Sequence, residues 1–156
     1  MGYRRQARER ALQCLYQWES TGAELDGLLD RFWRANPASR QIRDFTEVLV
    51  RGTVDAVTRI DPLLEQQAEN WRLERMGCVD RGILRLGVYE LLDQPETPAA
   101  VAIDEAIELA KRYSGEQAGT FVNGILDGIR RRLQTEPATD DVSLEARVDQ
   151  DKATGG

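Results

Sequence analysis

The sequence predicts an all-helical protein with about seven helices arranged in two packed halves. Over most of the first 133 residues, apolar side chains recur every three or four positions, which is the spacing of amphipathic helices. Proline and glycine separate these stretches at points where helices commonly begin and end. No stretch alternates apolar and polar residues for long enough to predict a strand.

Four helices are predicted in the first half of the chain. Asn36 is placed as the cap of the third helix with Pro37 at its first position, and the Asp61-Pro62 pair begins the fourth. Gly52 in the middle of the third helix costs about 1 kcal/mol relative to Ala, which close packing against another helix would explain. The predicted bounds are residues 3–19, 24–35, 37–56 and 61 to 71 or 72. The buried face of the third helix is predicted to hold Ile42, Phe45, Val48, Leu49, Gly52 and Ala56.

Three helices are predicted in the second half. The fifth, residues 79–92, is apolar almost all round and is therefore expected to be the buried centre of this half. Its narrow polar edge is predicted to hold Asp80, Arg81, Arg85 and Glu90. The last two helices form a hairpin: Thr97 caps the sixth, Pro98 takes its first position, and Tyr113 ends its apolar stripe. Ser114-Gly115 forms the corner, and the seventh helix runs from near Glu116 to Leu133.

The C-terminal segment lacks this helical pattern. Residues 135–156 hold six acidic and two basic residues among Pro, Ala, Thr, Ser and Gly. Such a composition buries too little apolar surface to offset the entropy of ordering. We therefore expect a helical domain over residues 1–134 followed by a disordered acidic tail over residues 135–156.

Several function classes are disfavoured by what the sequence lacks. The chain has no histidine, the commonest acid or base at neutral pH and the commonest metal ligand. Cys14 and Cys78 each stand alone in an apolar helical context, so we expect two buried thiols rather than a disulfide or a metal site. The sequence therefore predicts neither an enzyme nor a cofactor or metal site. With no apolar run long enough to span a bilayer and no secretion signal, it predicts a cytoplasmic protein.

The first ten residues are basic, although the net charge of the chain is −6. They hold four Arg against Glu9, at the start of a helix whose dipole disfavours positive charge there. A local phosphate contact would explain this placement. The alternative is a solvated, frayed helix end whose Arg side chains pair with acids elsewhere.

Three stretches resemble the NusB family of bacterial transcription antitermination factors. The strongest is AIDEAIELAKRYSGEQAGTFVNGILD, which is similar to the C-terminal motif of that family. The opening YRRQARERALQCLYQW resembles its Arg-rich first helix with a Leu-Tyr pair, and VDRGILRLGVYELL resembles its central helix. The resemblance covers roughly residues 3 to 133 and implies the NusB fold.

The resemblance also implies an RNA-binding surface. It assigns Arg4, Arg5 and Arg8, and more weakly Gln6, to contact with boxA, a short single-stranded element of ribosomal RNA leader and spacer transcripts. Arg suits RNA because its planar fork grips phosphate and stacks on bases. Arg10 departs from the family pattern, and its role is open.

The last helix supplies the other RNA residues that the resemblance implies. Phe121 is a family RNA-contact position, although ordinary core packing is the simpler interpretation of its place in the apolar stripe. Gln117 occupies a position where some members carry Asp, and an amide would repel phosphate less. Asn123 either reads a base edge or bonds to backbone.

Two further residues are assigned to a protein partner by resemblance. Tyr16 and Asp80 correspond to positions with which the family binds NusE, a small-subunit ribosomal protein. Without the resemblance they would be a partly buried tyrosine and an acid that suits a helix start.

The implied function is assembly on RNA. With NusE the protein would bind boxA, join NusA, NusG and RNA polymerase, and suppress Rho-dependent termination. Two alternatives stay open: a protein-interaction scaffold, and a free-standing RNA-targeting module like the amino-terminal domain of some ribosomal RNA cytosine methyltransferases. The sequence leaves open a monomer or a homodimer.

Overall fold

The computed structural model describes residues 2–68 and 73–135. Within them the chain forms seven α-helices and a short 3-10 turn, Leu73–Arg75, without a strand, which confirms the predicted all-helical fold. The helices are α1 (Tyr3–Thr21), α2 (Leu25–Ala35), α3 (Arg40–Asp55), α4 (Val57–Gln67), α5 (Cys78–Asp93), α6 (Ala99–Tyr113) and α7 (Glu116–Thr135).

Helix α5 is the centre of the molecule. It contacts α1, α3 and α4 of the first half and α6 and α7 of the second half. Ile83, Leu84 and Val88 are completely or almost completely buried along it, as its apolar pattern predicts. Glu90, which we placed on the polar edge, is instead 2% exposed. The two halves therefore share one continuous core that has α5 as its common element.

The approach of α3 to α5 explains the glycine in the middle of α3. A Cβ atom at Gly52 would lie 2.1 Å from Cζ of Tyr89, well inside van der Waals contact. Tyr89 is 7% exposed, so α3 meets a buried ring at this point. The predicted reason for Gly52, close packing against another helix, is confirmed.

The buried face of α3 differs from the predicted one. Val48 is exposed and Phe45 half-buried, whereas Thr46 and Thr53 are buried. Both threonine hydroxyls donate to the carbonyl four residues earlier at 2.7 Å, so neither polar group is left unsatisfied in the core. The predicted face was right for Ile42, Leu49 and Ala56 and wrong for Val48. It also left out the buried Thr46, Val50 and Thr53.

Two helix starts also differ from the predictions. Helix α3 begins after Ser39, whose hydroxyl accepts from the Ile42 amide at 3.3 Å, while the Asn36 side chain donates to the Phe32 carbonyl at the end of α2. Helix α4 begins at Val57, and Pro62 lies inside it. The amide of Ile60 donates to the Ala56 carbonyl at 2.9 Å, so the helix is formed before the proline is reached.

The end of α4 is also earlier than predicted. The helix ends at Gln67, and residues 69–72, over which the prediction continued, lie outside the described residues.

The hairpin of α6 and α7 follows the prediction closely. Gly115 adopts a φ of +110° at the corner, where a side chain would be strained, and α7 begins at Glu116. Pro98 serves as the N-cap residue of α6 instead of Thr97, because its carbonyl accepts from the Ala102 amide at 3.0 Å. Tyr113 is exposed and not part of the core.

The predicted boundary between domain and tail is not tested by the structure. Helix α7 continues through Thr135, one residue past the proposed end of the helical domain. The remainder of the predicted tail, residues 136–156, lies outside the described residues. The division into residues 1–134 and 135–156 stays a prediction.

Candidate nucleic-acid interface

The basic end of α1 is fixed by tertiary contacts. Its first turn reads Tyr-Arg-Arg-Gln, and the preceding Gly2 has no side chain with which to cap the helix. Local sequence therefore does little to stabilise this start. Side chains of α5 and α6 stabilise this start instead.

Arg5 pairs with Glu105 of α6. Its Nε and Nη2 atoms donate to the two carboxylate oxygens at 3.1 and 2.9 Å. This hydrogen bond and the charge of Glu105 raise the pKa of Arg5 above its ordinary value. The Arg5 side chain is still 46% exposed, so it can meet a ligand without leaving Glu105.

A second ion pair crosses the same boundary between α1 and α6, from Arg112 to Glu9. Together the two pairs flank an open groove of about 530 Å³ that reaches from α1 to the start of α7. The groove mixes cations and carboxylates, so it is not uniformly basic. It is lined by Arg5, Glu9, Glu105, Glu108, Leu109, Lys111, Arg112 and Glu116.

Arg4 lies on the other side of the α1 start. Its guanidinium carbon is 5.7 Å from the centre of the Tyr3 ring and 6.0 Å from the centre of the Phe45 ring. Arg4 is exposed, so these rings orient a cation that solvent can reach.

Arg8 is not at the surface. Its residue exposure is 4%, and its Nε and Nη2 atoms donate to the Glu90 carboxylate at distances of 2.8 to 3.1 Å. Contact between Arg8 and RNA stays a prediction, but in this structure the guanidinium is paired with the Glu90 carboxylate. The sequence could have predicted the burial of Arg8, because it shares one face of the helix with Leu12 and Leu15.

Half of the frayed-end alternative is therefore correct. Arg5 and Arg8 do pair with distant acids, but the helix end that they belong to is held against α5 and α6.

The predicted residues of α7 do not share one face. Gln117 and Phe121 are one turn apart, with Gln117 exposed and Phe121 half-buried against the core. Asn123 is exposed, but about 200° around the helix from Phe121 at about 100° per residue. Gln117 directly follows Glu116, which lines the groove shared with Arg5. Gln117 is thus the sequence neighbour of a groove residue, whereas Asn123 points away from Phe121.

The two predicted partner residues lie at the opposite end of α1. Tyr16 is 47% exposed. Glu19, one turn further on, pairs with Arg81, which follows Asp80 in the first turn of α5. One carboxylate oxygen of Asp80, Oδ1, is buried and has no hydrogen-bond partner among the described residues. The fold therefore brings Tyr16 and Asp80 to one end of the molecule.

Glu19 is the centre of an ionic network at this end. It pairs with Arg81 and Arg85, and Arg85 also grips Asp61 of α4 with two hydrogen bonds of 2.9 Å. Burial acts to raise the pKa of Glu19. The hydrogen bonds from Arg81 and Cys78 and the two guanidinium charges outweigh it, so the pKa lies below its ordinary value.

The cysteines differ from each other. Cys14 is fully buried, which raises the pKa of its thiol to about 12, so it is an unreactive core residue. Cys78 is half-buried and donates to Glu19 at 3.4 Å, so the prediction that both thiols are buried was wrong for Cys78.

The described residues contain no cluster of Cys, Asp and Glu side chains able to hold a metal ion. None of their helices is long and apolar enough to cross a membrane.

Comparison with known sequences identifies the family. The sequence profile of the NusB family matches residues 5–131. The chain is 44% identical over 133 residues to the transcription antitermination protein NusB of Sorangium cellulosum, covering 85% of this chain and 95% of that protein. It is 47% identical over 131 residues to the NusB protein of Anaeromyxobacter dehalogenans, covering 83% and 92%.

Solved structures agree with the sequence comparison. A chain in the crystal structure of the antitermination factors NusB and NusE with double-stranded RNA has a TM-score of 0.77 at 31% identity, covering 85% of this chain and 98% of that one. For NusB of T. maritima the TM-score is 0.75 at 38% identity, covering 82% and 90%. Because sequence and fold agree over nearly the same residues, the chain belongs to the NusB family.

Proposed function

We propose that this chain is an RNA-binding transcription antitermination factor. With NusE it binds boxA of ribosomal RNA transcripts, joins NusA, NusG and RNA polymerase, and helps the polymerase resist Rho-dependent termination. The observation that carries the proposal is similarity over more than four-fifths of the chain to antitermination proteins and to a chain crystallised with NusE and RNA. A factor of this kind binds and assembles without catalysing a reaction, and it would act in the cytoplasm, where bacterial transcripts are made.

The proposed RNA surface runs from the start of α1 to the start of α7. Arg4 and Arg5 are exposed and would contact phosphates or bases, and the groove beside Arg5 leads to Glu116, next to Gln117. Phe121, half-buried one turn later, would stack on an unpaired base with its outer face. Arg8 would contribute indirectly, by holding α1 against α5. Asn123 has the least support, because it points away from Phe121.

The proposed NusE surface is the other end of α1. Tyr16 is exposed there, and Asp80 is half-buried in the first turn of α5, next to the Arg81 that pairs with Glu19. The two surfaces are separated along α1 by the length of the helix, about 1.5 Å per residue. RNA and NusE could therefore bind at the same time, and each should raise affinity for the other by the same factor.

The test is binding of a fluorescent boxA-like RNA with and without purified NusE. Arg4→Gln, Arg5→Gln and Phe121→Leu each remove one proposed contact, and Leu keeps the apolar packing of Phe121. Arg131→Gln is the matched control, because Arg131 is exposed on α7 about 22 Å along the helix from Glu116. The three variants should weaken binding several-fold, and Arg131→Gln should not.

The outcomes separate this function from a scaffold. Wild-type binding that NusE strengthens and that Tyr16→Ala makes insensitive to NusE would support antitermination assembly. NusE binding without any RNA binding would favour the scaffold. Light scattering on the free protein tests the predicted possibility of a homodimer.

A further inference from the structure

We infer that Tyr3, together with Phe45 and Arg4, forms a stacking platform for an unpaired RNA base, which extends the RNA surface from α1 onto α3. The inference rests on the proposed function, since it concerns how the same RNA is held. We call these three residues the Tyr3 platform. Only Arg4 among them was singled out by the sequence.

The platform combines an aromatic ring with a cation that lies over it. Tyr3 is the first residue of α1 and is 36% exposed, whereas Phe45 behind it is half-buried. Their ring centres are 6.3 Å apart with an interplanar angle of 78°, an edge-to-face arrangement. The Arg4 guanidinium lies within 6.0 Å of both ring centres.

The platform rests on a buried contact of α1. The Arg8 guanidinium carbon lies 5.8 Å from the centre of the Phe45 ring, and Arg8 is held in the core by Glu90. An unbroken series of contacts thus leads from a buried ion pair through Phe45 to the exposed Tyr3 ring. A ring held in place before binding loses little entropy when a base stacks on it.

The combination suits single-stranded RNA better than other ligands. Every base has a π-face that can stack on a tyrosine, while an adjacent Arg attracts the phosphate and can itself stack. Tyr3 directly precedes Arg4 and Arg5, so the ring lies at the proposed phosphate contacts. Packing on Phe45 alone would not require a tyrosine that leaves more than a third of its residue surface to solvent.

The experiment compares three variants of the full chain on the same fluorescent single-stranded RNA, without and with NusE. Tyr3→Leu keeps apolar bulk without the ring, and Tyr3→Phe keeps the ring. Arg131→Gln is the control outside both proposed surfaces, because Arg131 is exposed near the end of α7. Thermal melts establish that each variant is folded.

Tyr3→Leu should weaken binding by at least about fivefold, the lower end of what stacking on one base contributes. Tyr3→Phe and Arg131→Gln should stay within about twofold of wild type. The loss should be the same at about 50 and about 200 mM salt, since a neutral ring releases no counterions. It should vanish on an RNA of the same length that carries abasic nucleotides.

A Tyr3→Leu variant that binds like wild type, or one that loses as much affinity on abasic RNA, would overturn the platform and leave the proposed function standing. A wild-type chain that binds no RNA with or without NusE would remove both.

Discussion

Arg8 and Glu90 show how one residue pair supports a surface that it does not form. Their side chains are 4% and 2% exposed, and they connect α1 to α5. A buried pair of this kind adds little net stability compared with apolar residues, but losing one partner leaves the other charge buried alone. The pair therefore fixes where α1 lies, and with it where Arg4 and Arg5 point.

Replacing Arg8 by Ala should lower the free energy of unfolding by about 3–5 kcal/mol, because Glu90 would be buried without a partner. The double change Arg8→Met with Glu90→Leu should recover most of that loss. Urea denaturation followed by circular dichroism measures both effects. The exposed pair provides the control: Glu105→Gln should cost no more than about 1 kcal/mol. A loss below about 1 kcal/mol for Arg8→Ala would mean that the pair is not needed to hold α1.

At the scale of helices, two glycines lie where neighbouring helices approach too closely for a side chain. Helix α3 meets α5 at Gly52 and Tyr89, and α5 meets α7 at Gly87, where a Cβ atom would lie 2.8 Å from Leu126. These contacts hold α5 between its neighbours. They also place Phe45 of α3 beside the start of α1.

Gly52→Ala should destabilise the protein by about 1–3 kcal/mol even though Ala is the better helix former, because the new methyl group would overlap the buried Tyr89 ring. Gly124→Ala is the matched control. Gly124 is also in the middle of a helix, but a Cβ atom there would meet nothing within 4 Å, so this change should stabilise by up to about 1 kcal/mol. Equal effects at both positions would show that the packing of α3 on α5 can relax.

At the scale of the whole molecule, α1 joins both halves through ion pairs along its length. Near the start of α1, Arg5 and Glu9 pair with residues of α6. Arg8 pairs with α5 within the core. Near the end of α1, Glu19 pairs with residues in the first two turns of α5. The proposed RNA and NusE surfaces lie at the two ends of this helix. Its attachment to the second half therefore sets their relative position.

The ionic network around Glu19 should make the free energy of unfolding fall at low pH. The pKa of Glu19 is lowered in the folded protein, so its contribution is complete above the ordinary glutamate pKa of about 4.3 and is lost as the pH falls through the lowered value. Glu19→Gln should therefore unfold at lower urea concentration than wild type at neutral pH. The difference should shrink as the pH drops below about 4.

Thermal and urea unfolding between neutral pH and about pH 3 measures this dependence. Glu96→Gln is the control, because Glu96 is exposed in the turn before α6. A Glu19 variant with the same pH dependence as wild type would show that the network does not contribute to folding.

The sequence by itself determined the helices, the central place of α5, the corner at Gly115 and the reason for Gly52. These follow from local rules, since periodicity, turn residues and a misplaced glycine are visible within a few positions along the chain. The start of α3 was missed because Asn36 and Ser39 offer competing local signals. The start of α4 was missed because Ala56, which precedes it, carries no capping side chain, whereas Pro62 is a typical start signal.

Only the tertiary structure decided what the basic residues do. Arg4, Arg5 and Arg8 look alike in sequence, yet one lies over two aromatic rings, one is half-exposed on Glu105, and one is buried on Glu90. Apart from Tyr3, which adjoins Arg4, the partners are distant: Phe45, Glu105 and Glu90 lie 41, 100 and 82 positions from Arg4, Arg5 and Arg8. No local pattern encodes such distances, because they arise only when burial of the apolar faces brings α1, α3, α5 and α6 together.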